Sequence, residues 1–148
     1  MINYELEAQK NLKENNMKLL DELIDIYLEG SDPEMEYVLN CRNEEILLDG
    51  PESLTGEPEI DWDTDEADDL IVIPTSSSSE MYQVMMEFAQ KQSDDAVNRL
   101  QASLNGRKPF PQFKDAVSEL GVDKEWYEFE RDYAREKMVE WLSEKGRL

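Results

Sequence analysis

No histidine occurs in these 148 residues, and Cys41 is the single cysteine. The missing histidine removes the commonest general base, the usual proton shuttle and the usual zinc ligand. Together the two scarcities exclude a Cys–His nucleophile and a thiolate zinc site. One cysteine cannot close an internal disulfide, so a reducing cytoplasm is the expected location. Long apolar runs are also missing: none approaches the roughly 18–20 residues of a membrane span. Residues 1–7 lack the basic start and apolar segment of a secretion signal. Glycine-rich phosphate loops and the Gly-x-Ser-x-Gly nucleophile turn are absent as well. What remains is carboxylate chemistry, and the chain reads more readily as a non-catalytic protein than as an enzyme.

Positive charge is scarce, and its placement is uneven. There are 36 acidic residues against 15 basic ones, for a net charge of −21. Residues 43–90 hold fourteen acids and no base, residues 1–42 ten acids against four bases, and residues 91–148 twelve against eleven. Such a surface repels duplex DNA, RNA phosphates and anionic lipid, whose binding depends on Lys and Arg. Direct contact with nucleic acid or membrane is therefore not expected. The expected partner is an unidentified protein, most simply a basic one.

Apolar patterning supplies the fold. Met17, Leu20, Ile24, Tyr27 and Leu28 form a stripe at helical spacing, widened by Leu19, Leu23 and Ile26, and Gly30–Ser31–Asp32–Pro33 ends it. Residues 1–15 are polar; Asn11 with Glu14 offers a capping box, and Asn15 or Asn16 a later start. Residues 36–41 and 45–48 carry apolar residues of β type on both sides of a short polar turn, which reads as a hairpin. Residues 49–69 carry Pro51, Gly56 and Pro58 among acids, with little but Leu54, Ile60 and Trp62 to bury. They read as an acidic loop or linker. Residues 70–73, stopped by Pro74, make a candidate third strand.

From there on the pattern is helical. Ser77 and Glu80 have capping-box spacing before Met81, Val84, Met85 and Phe88, and Ser93–Asp94–Asp95 opens a second helix ended by Gly106. A third carries Phe110, Phe113, Val117 and Leu120 up to Gly121. Asp123 is placed to cap a fourth, running to about Lys145, with Tyr127, Ala134, Met138 and Trp141 on one line and Trp126, Phe129 and Tyr133 beside it. Strands and helices in separate blocks make the class α+β. The expectation is an N-terminal helix and a small antiparallel sheet packed on a C-terminal four-helix part. It is one domain over 1–148, with 76–146 its helical part.

Two residue sets are candidates for function. Asp61, Asp63, Asp65 and Asp69 follow positions one, three, five and nine of a calcium loop, but Glu66 stands where glycine is needed and Val72 where a bidentate glutamate is needed. No cofactor is implied beyond weak attraction of calcium or magnesium. Seven of the thirteen aromatics lie between Phe110 and Trp141. Phe110, Phe113, Tyr127 and Trp141 have core spacing, whereas Trp126, Phe129 and Tyr133 are placed to rim a partner surface. Arg107, Lys108, Lys114, Arg131 and Arg135 concentrate positive charge nearby. They fit a salt-bridged helix surface, with Glu128, Asp132 and Glu136 in reach. They also fit a site for an anionic ligand or acidic segment, such as residues 57–69. Cys41 reads as a small buried apolar residue, and Ser76–Ser79 as a helix start.

Ile73–Pro74, Ser79–Glu80–Met81–Tyr82, Gly106–Arg107, Phe110, Phe113–Lys114–Asp115 and Trp126–Tyr127-x-Phe129, in that order, resemble an uncharacterised bacterial protein family of the UPF type, number 0158. The resemblance covers about residues 17–145 and implies an N-terminal helix, a strand pair and C-terminal helices. Pro109, Pro111 and Gln112 depart from a stretch that tends to be basic in the family. The resemblance brings no activity, substrate or catalytic residue. The residues themselves favour an acidic protein-interaction module. A metal-dependent phosphate or phosphodiester hydrolase and a nucleic-acid mimic are the alternatives.

Overall fold

The computed structural model describes residues 2–146, with side chains from residue 16 onward. The class is α+β, and the chain divides into two compact units, residues 1–75 and 76–148.

The first unit opens with α1, Ile2–Glu29. It starts well before the expected caps, so Asn11, Asn15 and Asn16 lie inside the helix. Residues 5–14 are almost all strong helix formers, and extending an existing helix is far easier than nucleating one. Leu23, Ile24, Ile26 and Tyr27 are buried, whereas Met17, expected in the same stripe, is 65% exposed. Gly30 ends α1 at φ +88°, the left-handed conformation that only glycine adopts without strain.

β1 (Glu36–Asn40), β2 (Ile46–Asp49) and β3 (Leu70–Val72) form an antiparallel sheet in the order β2-β1-β3. The register pairs Val38 with Leu47 on one side and with Val72 on the other. Val38 and Leu39 point to opposite faces and are 0% and 1% exposed, so the central strand is covered on both faces. Cys41 is half-buried just past β1, and its N–H donates to the Asp69 carbonyl at 2.8 Å.

Between β2 and β3 the acidic segment has structure of its own. It contains a single helical turn, α2 (Glu52–Thr55), and a 3-10 turn over Asp65–Asp69 that turns Ala67 inward.

The second unit is helical: α3 (Ser78–Gln90), α4 (Asp94–Leu104), α5 (Pro109–Glu119) and α6 (Asp123–Glu144). The Ser77 side chain caps α3 by accepting from the Glu80 N–H at 3.1 Å. The turn into α6 is a Schellman motif: Gly121 sits at φ +69° and the Val122 N–H donates to the Val117 carbonyl at 3.0 Å. Val122, not Asp123, is the residue before α6. Asp123 is its first helical residue and acts on the helix dipole alone.

The core of this unit is an aromatic knot. Phe113 is fully buried, with its ring edge-on to Trp126 at 5.0 Å and to Phe88 at 6.3 Å; Phe88 meets Trp126 at 5.3 Å. These edge-to-face arrangements suit the ring quadrupoles and add about 0.5–1.5 kcal/mol per pair beyond burial. Ala134 and Met138 are buried on α6 as periodicity suggested, but Trp126 and Leu142 complete its inward face where Tyr127 and Trp141 were expected. Tyr127 is 56% exposed, Trp141 and Phe110 are half-buried, and Trp126 is core. Aromatics stand on several faces of α6, and Phe88 and Phe113 decide which face turns inward.

Truncating the knot should therefore be severe. Phe113→Ala and Trp126→Ala should each cost about 3–5 kcal/mol in urea unfolding, and Tyr127→Ala no more than about 1 kcal/mol.

Candidate interaction surface

The aromatic and basic residues near the C-terminus do not assemble into one groove. Trp126 is taken into the core. Phe129 and Tyr133 are half-buried, each under a cation: Lys91 Nζ lies 4.9 Å from the Phe129 ring centre and Lys137 Nζ 5.6 Å from that of Tyr133. The Arg131 guanidinium lies 5.5 Å from the exposed Tyr127 ring. Arg135 pairs with Asp132 at 2.8 Å, one helical turn back. Arg107 and Lys108 are exposed in the α4–α5 connection, and Lys114 is exposed on α5. Each exposed pair of this kind contributes about 0–1 kcal/mol. This is the arrangement of a charge-laced helix surface.

Glu130 stands out among these groups. Burial pushes its carboxyl above the ordinary value of 4.5, while the Lys114 ammonium and the Arg131 guanidinium pull it partly back.

The four aspartates Asp61, Asp63, Asp65 and Asp69 do not converge. Among the described residues no three His, Cys, Asp or Glu side chains are grouped to hold a metal ion. The Asp61 carboxylate instead accepts from the Asp63 N–H at 3.1 Å, and the 3-10 turn leaves Asp65, Glu66, Asp68 and Asp69 exposed. A calcium loop wraps its carboxylates around a centre by a sharp glycine turn. Glu66 gives no such turn here.

The acidic segment is fastened by Asp49, the last residue of β2. One carboxylate oxygen accepts the Ile60 N–H at 2.8 Å, and the other accepts the Trp62 indole Nε1–H at 3.0 Å. Such charge-assisted hydrogen bonds are the strong ones. Residues 49–69 are thus tied down at Asp49 and again where Cys41 meets Asp69, and Trp62 is held in place while remaining 42% exposed.

Two clefts flank the segment 32–36. One, of about 340 Å³, is lined by Trp62, Ile60 and Met35 with five carboxylates; the other, of about 250 Å³, by Met35, Tyr37, Val72 and Pro74 near the end of α1. Gly50 lines the first, and its lack of a side chain matters: a Cβ there would come within 2.8 Å of the Glu34 carbonyl oxygen. The patterning that locates helices does not find these clefts. The one signal of the first is Trp62, a tryptophan within an acidic stretch.

The family model described as Uncharacterised protein family (UPF0158) matches residues 12–146. The chain belongs to UPF0158. A Pseudomonas aeruginosa protein, UPF0158 protein PA5073, is 26% identical over 115 residues, covering 76% of this chain and 74% of the relative. No solved structure matches the chain. The UPF0158 match includes both units, so the acidic sheet unit and the helical unit share one family pattern.

Two outcomes follow from the geometry. Asp49→Ala leaves two donors without their acceptor and should cost about 1–3 kcal/mol, with faster hydrogen exchange at the Ile60 amide. A carboxyl raised in the folded state binds its proton more tightly there than in the unfolded chain, so its contribution to stability falls as pH rises through the raised value. Glu130→Gln removes that fall. In urea melts the variant should gain on the wild type as the pH is raised above the ordinary carboxyl value of 4.5.

Proposed function

We propose that this chain is an acidic protein-interaction module without catalytic activity, working in the cytoplasm and taking a basic protein partner. The observation that carries this reading is the segregation of charge between the two units. Residues 1–75 hold 22 acidic residues against four basic, and residues 76–148 hold 14 against 11. The excess is concentrated on the unit whose acidic segment is tied to a sheet, so much of the negative field has a fixed geometry. Fixed charges of one sign steer an oppositely charged partner and raise its association rate. A self-repelling surface of this kind is also relieved when such a partner covers it.

The hydrolase alternative needs several carboxylates converging on hard cations. The spread of Asp61, Asp63, Asp65 and Asp69 disfavours it.

Affinity capture at low and at high salt tests the module. A basic partner should be retained at about 0.05 M salt and released at about 1 M, where the Debye length falls to about 3 Å. Release of the partner by added duplex DNA would specify a nucleic-acid-binding protein and make the module a nucleic-acid mimic. Absence of a reproducible partner at low salt would overturn the reading.

A further inference from the structure

The cleft at Trp62 has a composition that points to its ligand. Its walls are the half-exposed Trp62 with Met35, Ile60 and two prolines, Pro33 and Pro51. Around them stand the carboxylates of Asp32, Glu34, Glu36, Asp49 and Glu59, and among the described residues no basic one lines the cleft. Glu36 and Asp49 face each other across β1 and β2, like charges set directly opposite. The two hydrogen bonds that Asp49 accepts hold the indole at the cleft before any ligand arrives. An aromatic ring held still beside carboxylates suits a side chain that is both flat and positive. A guanidinium can stack on an indole while its N–H groups pair with carboxylates, whereas an ammonium offers a compact, strongly hydrated point charge.

We propose that the Trp62 cleft docks an arginine of a basic partner segment, the guanidinium lying on the indole and its edge facing the surrounding carboxylates. The occupant follows from charge complementarity with a cleft to which the described residues bring five carboxylates and no counter-charge. This site deepens the module reading and rests on it, since it names where the acidic unit grips its partner.

The probe is a tetra-arginine peptide, acetylated and amidated, titrated into the ¹⁵N-labelled full chain, with tetra-lysine as its counterpart. Three tryptophans give three indole N–H resonances. That of Trp62 is the one lost in Trp62→Phe. It should move saturably with tetra-arginine while those of Trp126 and Trp141 stay in place, and tetra-lysine should bind more weakly. Trp62→Ala should weaken tetra-arginine binding about 2- to 30-fold, the range of a cation–π contact.

Because losing the indole also loosens residues 50–64, a charge pair provides a second test. Glu34→Gln with Glu59→Gln, which leaves Trp62 in place, should weaken binding about 3- to 10-fold. Glu52→Gln with Asp68→Asn, equal in charge but outside the cleft, should leave it unchanged. A stationary Trp62 resonance, or equal weakening by both charge pairs, would overturn the site in favour of diffuse attraction. If a basic partner is still captured at low salt, the module reading survives that result. If neither peptide nor partner binds, both fall.

Discussion

The acidic unit depends on one carboxylate. Asp49 ends β2 opposite Glu36, where two like charges would simply repel, yet both its oxygens are engaged by donors from the segment that follows. The bonds to Ile60 and Trp62 convert a destabilising cross-strand pair into an anchor. They bring a Pro- and Gly-interrupted stretch back onto the sheet it has just left. The rest of the unit builds on that return: the 3-10 turn over Asp65–Asp69 feeds straight into β3, which completes the sheet beside β1. Without a third strand, β1 and β2 would form a hairpin of marginal stability.

The helical unit is held differently. Phe88, Phe113 and Trp126 meet edge to face, and Lys91 lies over Phe129 at the margin of the same cluster. Near-neutral charge fits this role: 11 bases offset most of its 14 acids, with Arg99 paired to Glu119 and Arg135 to Asp132. The aromatic cluster belongs to one unit, and most of the negative charge to the other. The UPF0158 match, over residues 12–146, spans both units.

That division bears on function. The C-terminal aromatics and cations, taken in sequence, suggest a groove, but folding turns Trp126 inward and places a lysine over each of Phe129 and Tyr133. The acidic segment, taken in sequence, suggests a loop without fixed form, yet it presents a half-exposed tryptophan in a fixed position beside carboxylates. For the proposed interaction module, the more ordered chemistry lies there.

Much of the architecture was legible in the chain. Stripes at helical spacing, Ser77 with Glu80, Gly30, Gly121 and the apolar pair at 36–48 locate helices and strands within a few residues, because capping, left-handed turns and strand alternation are local effects. The beginning of α1 was missed because propensity over residues 5–14 outweighed polar side chains that also suit caps. On α6 the line through Ala134 and Met138 was found, but its aromatic member was misassigned to Tyr127 and Trp141 rather than Trp126, because aromatics occur on several faces of the helix. Which aromatic turns inward is set by Phe88 and Phe113, which meet Trp126 from 38 and 13 residues earlier in the chain. The Trp62 cleft was missed because it is made by hydrogen bonds from Ile60 and Trp62 to Asp49, eleven and thirteen positions away. Sequence alone determined the class, the elements and the imbalance of charge, all of which follow from neighbouring residues. Tertiary structure decided which aromatic is core and which is exposed, because that depends on contacts between residues far apart in the chain.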